Sequence, residues 1–435
     1  MAMALVTTTA LALTGCAQSQ APSAGSVTLT VWHHDGQATE RAAMIEQTAR
    51  FNAAQHDVVA KVIEVPEDGY TDKVQLAAVN GTLPDVLDFD GPNMQNYAYQ
   101  GKLLALDKLL STSVRADLTS SIRAQGTYLG HLYSVGNFDS GLGLYADRRA
   151  LKAAGINPPT SIEEAWTPKE FDQVLATLAA RDKDHKVLEL SLSYGQGEWF
   201  TYGFAPVVWS AGGSLGVPPR FGNAAGSLAT PAVTQALERI QRWTSRYVEP
   251  APKGVEDSFL EGLAPLSWGG HWVYPAYHKA LGANLIVIPL PDFGLGTKTS
   301  SGSWNWGVSA TTKHPQAAAQ FLDFLMSTNE VLAVSAANGA PPGTTSGLAQ
   351  SPLYSPTGPL ALFAQQLTNS CGIQPKKTCV AVIRPATAAY PVITAAFQTV
   401  MSVVFTKGDV AAALEVAAGK IDTDYKANHG YEPVQ

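Results

Sequence analysis

The sequence predicts an α/β protein built from two or more domains around largely parallel sheets. Three observations carry that expectation. The chain has 435 residues, more than one ordinary core holds. Its residues are 46% apolar and only 15% charged, which is enough to bury large cores. From residue 27 onward, strand-like runs alternate with helix-like ones, the pattern of a mainly parallel sheet flanked by helices.

The elements follow in order. Val27-Thr28-Leu29-Thr30-Val31-Trp32 is β-branched and apolar and reads as a strand. His33 to Gln37 leaves it as a loop. Glu40 to Ala53 has apolar positions at helical spacing. Val58 to Val65 is a second strand, Tyr70 to Val79 a second helix and Pro84 to Phe89 a third strand. Leu132 to Val135 and Gly143 to Ala146 are short extended runs. In Thr167 to Ala180, Pro168 suits the first helical turn, and Phe171, Val174, Leu175 and Leu178 share one face. Pro231 to Arg246 and Pro315 to Met326 are further helices, with a strand at Leu285 to Pro289. The chain from Pro391 on is mostly helical.

The net charge of −7 is spread thinly, and no run of Lys or Arg occurs. Nucleic acid is therefore not an expected partner, because phosphate binding needs clustered cations. Residues Ala2 to Leu13 are small or apolar and lead into Leu13-Thr14-Gly15-Cys16. This resembles a bacterial lipoprotein signal peptide with its lipobox. The resemblance implies cleavage before Cys16, a lipid on Cys16 and a cell-envelope location on the outer face of the membrane. The apolar run is too short to span a bilayer. The chain departs from the pattern in its first basic residue, which is only Arg41; an earlier translation start would supply the missing ones. Ala17 to Ser26 is rich in Ala, Ser, Gln, Pro and Gly and reads as a flexible tether. Cys371 and Cys379 remain. An even remainder in an exported chain points to a disulfide, the other reading being two buried thiols.

Motifs for catalysis do not survive their context. Gly212-Gly213-Ser214-Leu215-Gly216 matches a nucleophile elbow, but Pro218-Pro219 forbids the helix that must follow. Gly141 to Ala146 matches a dinucleotide loop but reads as a strand. Walker A and H-E-x-x-H are absent. His33-His34-Asp35 contains metal-ligating types, yet neighbours on an extended segment point to opposite sides. No metal and no cofactor is expected.

Several landmarks together resemble a known family. They are Trp32, Leu83-Pro84-Asp85-Val86, Gly101 to Asp107, Gly130 to Val135, and Leu144-Tyr145-Ala146-Asp147 running into Leu151 to Ile156. Gly270-His271-Trp272, Trp306-Gly307-Val308-Ser309, Pro315 to Ala318, Arg384-Pro385 and Tyr390-Pro391 complete the set. Their order and spacing resemble the carbohydrate-type extracellular solute-binding proteins of bacterial ABC importers, the maltose-binding-like group. Gly136 and Asp147 depart from that pattern, where Pro and Asn are usual.

The resemblance implies a two-lobed, flytrap-like α/β fold, each lobe a mixed, mostly parallel sheet with helices. It divides the chain into a signal peptide and lipobox (1–16), a tether (17–26), a first lobe (27–138 and 297–340) and a second lobe (139–296 and 341–435). The hinge would cross near Asn137 to Gly141, Pro291 to Gly302 and Asn338 to Thr344. The implied role is capture of a sugar, oligosaccharide or amino sugar by a monomer that delivers it to a permease, without catalysis. A glycerophosphodiester is the second ligand class, and a secreted glycosidase the reading of another kind.

Sugars need planar polar groups for their hydroxyls and aromatic rings for their C–H faces. The resemblance places such residues at His34, Asp35, Gln37, Asp88, Asp90, Asn137, Asp139, Trp272, Ser303, Trp304, Asn305 and Arg384. Plainer roles stand beside these: loop capping for Asp88 and Asp90, core packing for the two Trp residues, a salt bridge for Arg384.

Overall fold

The computed structural model describes residues 25–248 and 257–432. The expected lipid site at Cys16 and most of the tether lie outside the described residues. Among the described residues, no helix is long and apolar enough to cross a membrane.

The N-terminal half of the chain builds a five-stranded sheet. Val27–His34 pairs in parallel with Val58–Val65 along its whole length and with Val86–Asp90 on its other side. Leu29 and Val31 are fully buried, as alternation along a half-covered strand requires. The strand runs two residues past its expected end, because His33 and His34 continue the ladder opposite Glu64 and Val65. Trp304–Val308 then enters antiparallel between Val86–Asp90 and Ser134–Val135. Helices Ala38–Ala54 and Pro315–Leu325 cover this sheet; Phe51 meets Phe321 edge-on at 5.1 Å.

A second body surrounds a four-stranded sheet ordered Leu285–Ile288, Leu142–Asp147, Leu266–Gly270, Leu188–Glu189. Only the last pairing is parallel, so antiparallel contacts outnumber parallel ones here. Helix Pro168–Ala179 begins with a capping box between Thr167 and Glu170 and buries Phe171, Val174, Leu175 and Leu178. Helix Glu198–Ser210 is apolar on all sides, and every residue from Trp199 to Ser210 is buried. Helix Tyr390–Phe405 packs on it and Val410–Ala427 packs on Tyr390–Phe405, with Phe397, Met401 and Leu414 in the same core.

The two bodies are joined by segments that touch one another. Phe138 bridges Pro342, Asp139 N–H donates to Pro341 O at 2.7 Å, and Gly343 N–H donates to Asn137 O at 2.9 Å. A Cβ on Gly343 would lie 2.1 Å from Gly136 O, so only glycine fits there. Strand Thr299–Ser301 lies beside Ala381–Ile383, and Gly302 N–H donates to the Asp139 carboxylate at 3.0 Å.

Cys371 and Cys379 form a disulfide. Changing both to Ser is expected to cost about 2–3 kcal/mol, the loop-closure entropy of so short a ring. A urea titration reads it; an unchanged midpoint would show that the loop is held by its neighbours instead.

Candidate functional site

The carboxyl ends of the three parallel strands point toward the second body, where open α/β sheets place their ligands. The loops that leave those ends carry Asp35 and Gln37, Glu67, and Gly91. The facing surface is made by the start of helix Glu198–Ser210, the turn His271–Val273 and the segment after Ala381–Ile383.

Arg384 sits at the centre of the contact. It is 2% exposed, and its two terminal nitrogens donate to both Asp90 oxygens at 2.5 and 2.6 Å. It also donates to Glu198 Oε1 at 2.6 Å. Glu198 accepts from Tyr390 and, at 2.7 Å, from Thr394. Burial holds the Glu198 carboxyl above its ordinary range, and Arg384 opposes that shift. Asp90 and Arg384 thus form a bidentate pair between the two bodies. Asn96 Nδ2 adds a second link, donating to Ala388 O at 2.7 Å.

An aromatic wall continues from this pair. The Arg384 guanidinium lies 4.8 Å over the Tyr202 ring. Tyr202 neighbours Trp272 at 5.9 Å, and Trp272 meets Trp199 edge-on at 5.8 Å. The Trp272 indole N–H donates to the Tyr194 hydroxyl at 3.2 Å. Trp272 is half-buried and Tyr194 is 48% exposed, so both rings keep an open face. Crowding raises the Tyr194 phenol, and the carboxylates of Asp257, Glu67 and Glu189 add to the shift, which brings Glu67 of the first body within electrostatic reach. Glu67 is itself held high by desolvation, opposed by His34 and reinforced by Glu40, Asp35 and Asp90.

A small cavity of about 10 Å³ lies beside the Arg384 pair, lined by Gly91, Gln95 and Gln125 on one side and by Ser301, Ile383 and Arg384 on the other. Two polar atoms of lining residues, Ser301 Oγ and Arg384 Nε, have no protein partner. They can serve a ligand's oxygens.

The other expected residues divide into groups. His34, Asp88 and Trp304 come together beneath the cleft. His34 Nδ1 lies 2.5 Å from Asp88 Oδ2, and its ring stacks on Trp304 at 3.5 Å. Tyr70 donates to Asp88 Oδ1 at 2.9 Å. Burial disfavours the imidazolium, but Asp88, with Glu40 and Glu67, outweighs it and raises His34 to about 9. Asp139 is 1% exposed and accepts from Gly302 N–H, Ser140 N–H and Gln125, so it ties the connecting segments together. Asn137, Ser303 and Asn305 are buried near it. Asp35 is half-buried, its Oδ1 accepting from Glu67 N–H at 3.0 Å, and Gln37 is exposed at the rim.

Sequence reasoning missed Glu67, Glu198, Tyr202, Tyr390 and His271. Glu67 was findable, because it follows a parallel strand's carboxyl end. The rest depend on contacts between distant segments.

Residues 46–357 match the family of bacterial extracellular solute-binding proteins. The chain belongs to that family. This solute-binding protein is 25% identical over 340 residues to a lipoprotein encoded beside oleD in Streptomyces antibioticus, covering 73% of this chain and 70% of that one. Its fold matches the cyclic α-maltosyl-1,6-maltose binding protein of Arthrobacter globiformis, with 24% identity, 93% and 100% coverage and a TM-score of 0.70. It also matches an ABC transporter solute-binding protein of Thermotoga lettingae bound with α-D-tagatose, with 20% identity, 92% and 99% coverage and a TM-score of 0.72. The two-lobed fold expected from the sequence is therefore the fold observed.

Proposed function

We propose that this solute-binding protein captures a carbohydrate between its lobes and delivers it to the permease of an ABC importer. The observation that carries the reading is the pairing of half-open rings, Trp272 and Tyr194, with polar groups that lack protein partners, Ser301 Oγ and Arg384 Nε. Rings for C–H faces and fixed polar groups for hydroxyls are what a sugar needs. The named structural relatives bind sugars, which supports the same class. In this reading, lobe 1 is 27–138 with 297–340, lobe 2 is the remainder after the tether, and Cys16 carries the lipid that holds a monomer at the membrane.

The glycerophosphodiester reading is weaker. Arg384 is already matched by Asp90 and Glu198, and Asp35 and Glu67 stand nearby, so a phosphate meets repulsion. The glycosidase reading is weaker too, because Asp88 is held by His34 and Tyr70, and Asp90 by Arg384.

The test is thermal unfolding against neutral sugars, amino sugars and glycerophosphodiesters. A cognate ligand at 100 times its dissociation constant should stabilise by about 2.7 kcal/mol and be recovered unchanged. Trp272→Ala should weaken binding roughly tenfold, about 1.4 kcal/mol. A shift confined to phosphodiesters, or conversion of the compound, would overturn the proposal.

A further inference from the structure

Beneath the cleft, His33, His34 and Asp88 each offer a ligand atom, and these atoms all lie within 4.8 Å of one another. We propose that they form a site for a divalent transition metal ion of the zinc class, with water completing the coordination.

The case rests on how each side chain is held. His33 Nδ1 is 2.8 Å from Glu64 Oε2, which turns Nε2 toward Asp88 Oδ2 at 3.8 Å. A carboxylate on the far nitrogen is the usual support of a metal-bound imidazole. Asp88 Oδ1 is occupied by the Tyr70 hydroxyl at 2.9 Å and His34 N–H at 3.1 Å, leaving Oδ2 for an ion. Both rings are clamped face-on by indoles: His34 on Trp304 at 3.5 Å and His33 on Trp306 at 5.7 Å, each within 6° of parallel. Three ligand side chains are thus oriented before any ion arrives.

Glu40 backs the His34 ring from its other side. Glu40 is 7% exposed, its Oε1 has no hydrogen-bond partner, and that atom lies 3.8 Å from His34 Nε2. With Nδ1 on the ion, His34 keeps its proton on Nε2, facing this carboxylate, the same support that Glu64 gives His33. A cavity of about 10 Å³, the size of one small ion or water, lies among His33, His34, Glu40 and Asp88.

The distances suit a small ion. Metal–donor lengths of about 2.0–2.2 Å put tetrahedral donors about 3.3–3.6 Å apart, so the 3.8 Å gap between His33 Nε2 and Asp88 Oδ2 needs only a few tenths of contraction. The His34–Asp88 contact must instead open by about 1 Å, as the ion replaces the proton between them and that proton leaves to solvent. Two neutral imidazoles and one ligating carboxylate carry a charge of −1, so a divalent cation leaves +1 among the donors, faced by the Glu40 and Glu64 carboxylates behind the two rings. Nitrogen with oxygen donors favours zinc, cobalt or nickel over calcium or magnesium. Alternation along a strand argues against neighbouring histidines sharing an ion, but the two rings end only 4.8 Å apart. The ion would pin the strand end from which Asp35 and Gln37 reach the cleft.

The test uses the purified protein, stripped with EDTA, dialysed and titrated with ZnCl2 by calorimetry, then with CoCl2 by visible absorption. The expected result is one Zn2+ per chain and intense tetrahedral Co2+ bands. His33→Gln should weaken affinity about 100-fold, and Glu64→Gln, which alters only the supporting carboxylate, about tenfold. Circular dichroism establishes that each variant is folded, and Glu64→Gln decides the matter if His33→Gln is not. No stoichiometric uptake by the native chain, or uptake unchanged in the folded variant, would overturn the site. Sugar binding is measured separately, so neither proposal rests on the other.

Discussion

Arg384→Met is expected to remove about 3–5 kcal/mol of stability and to loosen the closed form. Arg384 is 2% exposed and Asp90 8% exposed, so truncating the cation leaves a carboxylate without its counter-charge in a poorly hydrated place. Glu198 loses one of three partners at the same moment. Because the Asp90–Arg384 pair bridges the lobes, the molecule can relieve the strain by parting them, which admits water to both acids. The lower end of the range applies if it does. Calorimetric unfolding should show a fall in Tm of order 10 °C, and small-angle scattering a larger radius of gyration. Adding Asp90→Asn to Arg384→Met should restore part of the loss, since the two residues are in contact and their effects do not add. A single variant within about 1 kcal/mol of the native chain would show that the pair contributes little.

Acid should weaken the fold through His271. This ring is 3% exposed and lies next to Trp272, and its one hydrogen-bond partner among the described residues is the Ser140 hydroxyl at 3.0 Å. Burial lowers its pKa from 6.5 to about 3. The unfolded chain therefore takes up a proton that the folded chain refuses. Stability is complete above about pH 6.5 and falls as pH drops toward 3, by about 1.4 kcal/mol per unit. The sum by pH 3 is about 4–5 kcal/mol. Glu67, Glu198 and Asp139 have raised values and act in the opposite sense. The informative quantity is thus the difference between the native chain and His271→Gln across pH 7 to 4. Parallel profiles for the two proteins would refute the role of His271.

The fold was readable where local chemistry decides it. Helix Pro168–Ala179 has its cap, its proline and its apolar stripe within fourteen residues, and all are used. Helix Glu198–Ser210 offered no period to read, because a helix buried on all sides has no polar face. The final strand of the first sheet holds the landmark Trp306-Gly307-Val308, which was not read as a strand, and nothing nearby says that it inserts beside Asp88.

The site was readable as residue types and not as partnerships. Asp88 carries the chemistry expected of a sugar ligand, yet its oxygens are taken by His34 and Tyr70, which approach from other elements. For Arg384 the structure shows the salt bridge that stood as its plainer role. Register and closure set these pairings, and both are properties of the assembled chain.

The insertion of Trp304–Val308 also governs when the protein can fold. Trp304 pairs with Asp90 across more than 200 residues of intervening chain. Loop-closure entropy of that size must be overcome before the pairing yields any stabilisation, so the first sheet is slow to complete. Until residue 308 has been synthesised, Val86–Asp90 and Ser134–Val135 lack the strand that joins them. The nascent chain therefore carries a half-built sheet with an open hydrogen-bonding edge through most of its synthesis, and the lobe that begins first finishes late.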